Sequence, residues 1–147
     1  MITAIIIFFI ASKLYDKKIG FYSSLAYITL PAVSLSSTLI STDPFLLLFW
    51  ALSVFFLIKS LETNKWLWWI SLSLSVALGM LSKYNMLIFA LSGLVFIIWQ
   101  QKYSHNIKNP KLWVASFISF LVFLPNIIWN YNNAVSYTHL TLPTSPK

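Results

Sequence analysis

Trp66–Trp99 reads WLWWISLSLSVALGMLSKYNMLIFALSGLVFIIW, and Lys83 is its lone formal charge. A single helix of that length would run about 50 Å at 1.5 Å per residue, well beyond a hydrocarbon core of roughly 30 Å. The chain must therefore turn back inside the stretch, and Ser82-Lys83-Tyr84-Asn85 is where polar groups gather. This gives two apolar helices joined by a polar turn, with Trp66, Trp68 and Trp69 opening the first at the depth indole rings prefer.

The rest of the sequence agrees with a lipid solvent. Of 147 residues 59% are hydrophobic and 9% charged, against about a quarter charged in soluble domains. Runs without Lys, Asp or Glu extend over Met1–Ser12, Ile19–Thr42, Pro44–Ile58, Trp66–Ser82, Tyr84–Gln101 and Leu112–Pro146. The net charge of +7 does not indicate nucleic acid, because the lysines lie in loops between spans and no arginine is present for bidentate readout. With no cysteine, disulfides and thiolate metal sites are excluded, and His105 and His139 are too far apart for a local ligand pair. Met1–Ser12 lacks the basic start and small-residue cleavage site of a signal peptide.

Read from the N-terminus, the first run is about 18 Å long as a helix, and is expected to be a truncated span. A second span is expected from Ile19 to about Ser41, kinked at Pro31, with Ser34, Ser36, Ser37, Thr38 and Ser41 packing against neighbours. The third begins at Asp43-Pro44, which reads as an N-cap with proline at the first helical position, and ends near Leu61. The fourth and fifth flank the Lys83 turn. A sixth runs from Leu112 to about Asn130, with Pro125 near its end. The expected fold is all-α: a polytopic transmembrane bundle of about six helices over residues 1–135. Residues 136–147, carrying Pro143 and Pro146 without helical periodicity, resemble translated adaptor sequence and are expected to be a non-native or disordered tail. On this reading the chain is a fragment cut at both ends.

Sidedness follows from the lysines. Lys13, Lys17, Lys18, Lys59, Lys65, Lys102, Lys108 and Lys111 fall on one set of loops and Lys83 on the other, so the first set is expected to be cytoplasmic. That puts Thr42-Asp43, Lys83-Tyr84-Asn85 and Asn126–Asn133 together on the outer face.

Each outer residue has two open readings. Asp43 is a helix cap worth about 1 kcal/mol, or a carboxylate that orients a polar acceptor or a cation at the membrane boundary. Lys83 is an interfacial lysine snorkelling to headgroups, or the positive charge that neutralises a lipid phosphate. Tyr84 and Asn85 are a belt aromatic and a turn amide, or further hydrogen-bonding groups at the same phosphate. Asn126, Trp129, Asn130, Tyr131, Asn132 and Asn133 form an amide- and aromatic-rich helix exit, which is ordinary at an interface but also suits sugar rings. No phosphate-binding glycine loop, zinc motif or Ser/His/Asp constellation is present, and one carboxylate does not make a metal site.

The order of these pieces resembles a known family. LSSTLISTDPFLLLFW at Leu35–Trp50, ALGMLSKYNMLIF at Ala77–Phe89 and FLPNIIWNYNNAVS at Phe123–Ser136 are similar to glycosyltransferase family 39, which includes dolichyl-phosphate-mannose protein mannosyltransferases and bacterial aminoarabinose transferases acting on lipid A. The resemblance covers about residues 10 to 136 and rests on the S-T-D-P and L-S-K-Y elements. It implies part of a larger GT-C type membrane enzyme of the bacterial plasma membrane, taking sugar from a polyprenyl-phosphate donor at the outer (periplasmic) face. It further implies that Asp43 lines the catalytic cavity, positioning acceptor or cation, and that Lys83, with Tyr84, Asn85, Trp129 and Asn130, binds substrate. The family's catalytic carboxylate lies upstream of this sequence, so the fragment alone is expected to be inactive. A divalent metal in the intact enzyme stays open, and no other cofactor is implied. The competing reading is a fragment of a multi-pass transporter or a non-catalytic membrane subunit, against which stands the lack of a charge in the middle of any span.

Overall fold

The computed structural model describes residues 1–33, 42–100 and 103–132. Among these residues the regular structure is helical, with no strand: α1 (Ile2–Leu14), α2 (Lys17–Thr29), a helical segment at 31–33, α3 (Asp43–Thr63), α4 (Trp66–Ser82), α5 (Met86–Trp99), a 3-10 turn over Ser104–Lys108, and α6 (Pro110–Asn132). The expected all-α bundle is what the chain forms. The serines and threonine of 34–41, Asn133 and the proline-rich tail lie outside the described residues.

Local chemistry sets the helix ends. Asp16 Oδ1 accepts from the Ile19 amide at 2.7 Å and caps α2. Asn64 ends α3 in the left-handed region, φ 49° and ψ 28°, a conformation asparagine tolerates better than most side chains. Asn109 Oδ1 accepts from the Lys111 amide at 3.1 Å at the start of α6, and Pro110 follows in the position where its missing N–H costs nothing.

α3 and α6, with 21 and 23 residues and mean hydropathies of 2.0 and 1.9, are long and apolar enough to cross a membrane, while α1, α4 and α5 are shorter apolar helices. The second span is interrupted at its proline, as expected. α2 stops at Thr29, Leu30 is extended at ψ 121°, and residues 31–33 are helical again. The residue before a proline is pushed out of the helical region by the ring's Cδ, and that steric rule breaks the helix at Leu30. Pro125, by contrast, sits inside α6.

At the centre is α4, packed antiparallel to α3 on one side and against α6 on the other, while α1 packs on α2 and α3. Its faces are inverted relative to a soluble helix. Leu67, Ile70, Leu74, Leu78 and Leu81 recur at spacings of three and four and are exposed, whereas Ser73, Ser75 and Gly79 are buried with Trp69, Leu72 and Val76. In lipid, apolar side chains gain nothing by leaving the solvent, so small residues and interhelical hydrogen bonds hold helices together. The serines do this directly. Ser53 Oγ donates to Ser75 Oγ at 3.0 Å, Ser75 Oγ to the Phe49 carbonyl at 3.1 Å, and Ser119 Oγ to the Ser73 carbonyl at 2.9 Å. These bonds tie α4 to α3 and to α6. Trp69, Leu72 and Val76 of α4 pack in one buried cluster with Met86, Phe89 and Ile97 of α5 and Leu112 and Ala115 of α6.

The α1–α2 seam depends on Gly20, where an added Cβ would lie 2.8 Å from the Phe8 carbonyl oxygen, a backbone atom that cannot swing away. Helix propensity alone would make Gly20→Ala stabilising by about 1 kcal/mol. The seam reverses the sign: Gly20→Ala should lower unfolding stability in mixed micelles by about 1–3 kcal/mol. Gly93→Ala, whose Cβ would meet Leu57 at an ordinary 3.8 Å, should be neutral or stabilising, and equal behaviour of the two variants would contradict the packing.

Candidate functional site

The antiparallel α3–α4 hairpin returns the chain to its starting level, so the residue after α4 arrives beside the first residue of α3. There Lys83 Nζ donates to Asp43 Oδ1 at 2.7 Å. Both side chains are a little under half exposed, at 43% and 45%, so the pair sits at the lip of the bundle within reach of a ligand. Such an exposed pair contributes at most about 1 kcal/mol to stability. Its placement corrects one expectation. Thr42, not Asp43, occupies the N-cap position, no side chain caps α3, and Asp43 lies in the first turn with its carboxylate turned to Lys83. A negative charge in that turn is still favoured by the helix dipole, which is why an Asp before Pro44 reads like a cap in the sequence.

Lys83 ends α4 in an extended conformation, φ −161° and ψ 134°. Successive side chains on extended backbone point to opposite sides, so Tyr84 leaves the turn away from Lys83 and reaches α6. Its hydroxyl donates to Asn126 Oδ1 at 3.0 Å and accepts from Asn130 Nδ2 at 2.7 Å. Asn130 Nδ2 also donates to Asn126 Oδ1 at 3.0 Å, and the Tyr84 ring meets Phe123 edge-on with centroids 5.7 Å apart. The turn thus bears the ion pair toward α3 on one side and a phenol–amide cluster toward α6 on the other.

Of the residues expected at the site, Asp43 and Lys83 meet each other, and Tyr84 meets Asn130. Asn85 starts α5 through its carbonyl, which accepts from the Ile88 amide at 3.0 Å, with its side chain exposed. Trp129 lies on the exposed side of α6, 59% accessible. The sequence placed Asn126 only in a general amide-rich exit. Its four-residue spacing from Asn130, with Phe123 one turn earlier, puts all three on one helix face and was the available signal.

Beside the cluster opens a cavity of about 330 Å³ lined by Met80, Tyr84, Leu87, Phe123, Ile127 and Asn130. Met80 and Leu87 also line a second, apolar cavity of about 280 Å³ that runs between α4, α5 and α6 past Val76, Leu94, Ile97 and Phe120. The two form a groove with one amide and a phenol at its mouth and hydrocarbon along its length. Helices α5 and α6 barely touch, so the groove is open between them, floored by α4.

Compared with known protein families, residues 1–129 match the model described as dolichyl-phosphate-mannose-protein mannosyltransferase. The chain belongs to that family. The family is one of membrane glycosyltransferases of the GT-C type, and the matched region takes in Asp43, Lys83, Tyr84 and Asn126. Among curated proteins, the lipid A galacturonosyltransferase RgtD of Rhizobium johnstonii is 28% identical over 141 residues, covering 94% of this chain and 29% of the relative. The mannosyltransferase-family chain therefore spans under a third of that relative's length. No solved structure matches it.

Interhelical hydrogen bonds in membranes couple by about 0.6 kcal/mol on average and up to about 1.7. Tyr84→Phe and Asn126→Ala should each destabilise the bundle, and a double-mutant cycle of unfolding in mixed micelles should give a coupling in that range. Strict additivity would show that the phenol and amide do not bond.

Proposed function

We propose that this chain contributes the lipid-donor side of an integral-membrane glycosyltransferase that moves a sugar from a polyprenyl-phosphate donor to an acceptor at the outer face of a bacterial plasma membrane. The observation that carries the reading is the junction of two features at one turn. A cationic side chain, Lys83, stands at the bundle lip, and the adjacent Tyr84 opens onto an apolar groove that reaches down between α4, α5 and α6. A polyprenyl phosphate has the matching anatomy, a charged head on a long hydrocarbon chain.

In this reading the isoprenoid chain enters laterally between α5 and α6 and lies against Met80, Leu87 and Val76. Lys83 meets the phosphate, leaving the ion pair with Asp43 as the charge on the donor oxygens replaces it. Transfer is a direct displacement at the anomeric carbon. The acceptor oxygen attacks as the bond to the phosphate oxygen breaks, the configuration inverts, and the Lys83 ammonium stabilises the negative charge gathering on the leaving phosphate. Asp43, released from Lys83, orients the acceptor or a cation. A general base on the acceptor is needed, and none is assigned to this chain. A divalent cation would need oxygen ligands beyond Asp43. Tyr84 and Asn130 hold the groove mouth and face the sugar or the first isoprene unit.

Sidedness supports the same picture. Lys13, Lys59, Lys65, Lys108 and Lys111 lie at the end of the bundle opposite Lys83, across the length of α3, and lysine-rich ends are retained on the cytoplasmic side. The galacturonosyltransferase relative acts, by its name, on lipid A, and a glycolipid acceptor is the corresponding reading here. Because the chain covers 29% of that relative, turnover is proposed for the whole protein and is not expected of this chain alone.

The test introduces substitutions into the gene at its own locus and measures transfer in isolated membranes from polyprenyl-phosphate pentose, hexose and uronic acid donors. Lys83→Ala should lower kcat/KM about 10- to 100-fold, the scale of one charged hydrogen bond of about 1.5–3 kcal/mol, while Lys17→Ala leaves it unchanged. Leu87→Trp, which fills the groove, should penalise long-chain donors more than short-chain analogues. Equal loss for Lys83→Ala and Lys17→Ala, or no chain-length dependence for Leu87→Trp, would overturn the reading.

A further inference from the structure

The end of the bundle away from Lys83 is built around Asn64. Its left-handed backbone turns the side chain so that Oδ1 accepts from Asn109 Nδ2 at 2.8 Å and from Trp69 Nε1 at 3.2 Å, and its carbonyl accepts from Lys111 Nζ. The Asn64–Asn109 bond clamps the α3–α4 turn to the segment that starts α6. Lys65 follows one clamped residue directly and Lys108 precedes the other, so the clamp brings the chain positions of Lys65 and Lys108 to the turn where Lys111 Nζ is bound. Two of the nearby cations are held against rings. Lys111 Nζ lies 5.5 Å from the Trp66 ring centroid, and Lys59 Nζ lies 5.9 Å from the Phe55 and Trp68 rings.

The acids of this end are spent elsewhere. Glu62 pairs with Lys13, and Asp16 caps α2. Among the described residues, Lys59, Lys65, Lys108 and Lys111 therefore have no carboxylate partner. The first turn of α4 also begins here with no acidic residue and no side-chain cap, so its dipole adds to the positive field. Indole rings at the same level mark the depth of the membrane interface, where phosphodiesters lie.

We propose that Lys59, Lys65, Lys108 and Lys111, framed by Trp66 and Trp68, form a binding surface for the headgroups of anionic phospholipids. Orientation of a membrane helix needs only a surplus of lysine in the loop. It does not need an asparagine clamp that draws lysines of separate loops together, nor rings that fix two of them. Lysine suits this ligand as a point charge for phosphate, and each lysine near an anionic surface is worth about 1 kcal/mol, or roughly fivefold in affinity. The inference is independent of the donor reading, since it concerns the opposite end of the bundle.

Spin-labelled phosphatidylglycerol and phosphatidylcholine, with the whole chain reconstituted in phosphatidylcholine bilayers, provide the test. The protein-associated component of the electron paramagnetic resonance spectrum should show a preference of about threefold or more for the anionic lipid, weakening as salt screens it. Lys65→Gln/Lys108→Gln should remove most of that preference, and Lys17→Gln/Lys18→Gln, which makes the same change in net charge, should keep it. Asn64→Ala, which releases the clamp with no charge altered, should lower it as well. Equal loss in the two lysine pairs would reduce the surface to diffuse charge and overturn the proposal. So would abolition of the preference by millimolar inorganic phosphate, which would point to a soluble ligand, and so would equal association of the two lipids with the unaltered chain.

Discussion

A helical hairpin in a bilayer must bring the chain back to the side from which it left, because no irregular backbone can stop in hydrocarbon without stranding polar groups. That constraint governs this bundle. It places residues 43 and 83, 40 positions apart, in hydrogen-bonding distance, and leaves Asn64 at the far end to serve as the hub of the opposite turn. Nothing in the ion pair holds the hairpin, since an exposed pair is worth at most about 1 kcal/mol. The hairpin holds the pair, and the serine bonds along α4 hold the hairpin.

The inverted faces of α4 show why this works in lipid and would fail in water. Its leucine stripe is exposed while Ser73 and Ser75 are buried, the arrangement expected when small polar side chains, rather than apolar burial, provide the glue between helices. The groove opens between α5 and α6, and under the proposed function a lipid donor would enter it there with its charged end toward Lys83.

Much of this was legible from residue order. The break at Ser82–Asn85, the start of a helix at Asp43-Pro44 and the long helix from Pro110 follow from hydrocarbon thickness and proline chemistry, and the distribution of lysines alone puts Asp43 and Lys83 at one end. What was not legible depended on backbone angles and on distances between helices. The extended φ and ψ of Lys83 decide that Tyr84 points to α6 rather than to the side of Lys83 and Asp43, and a sequence does not print torsions. Asp43 looked like a cap because a cap and a first-turn acid share the same residue types. At Pro31 an interruption was legible, but not that a single extended residue, Leu30, carries it before helix resumes. The groove was invisible for the same reason, since it exists only because α5 and α6 stand apart.

The meeting of positions 43 and 83 can be measured directly, helped by the lack of native cysteine in the chain. Asp43→Cys/Lys83→Cys and, for comparison, Lys59→Cys/Lys83→Cys would be treated in native membranes with a short bifunctional thiol reagent, and the covalent link read by mass spectrometry of proteolytic fragments. The account predicts rapid linkage of 43 to 83 and none of 59 to 83. Linkage of 59 to 83, with 43 and 83 unlinked, would contradict it.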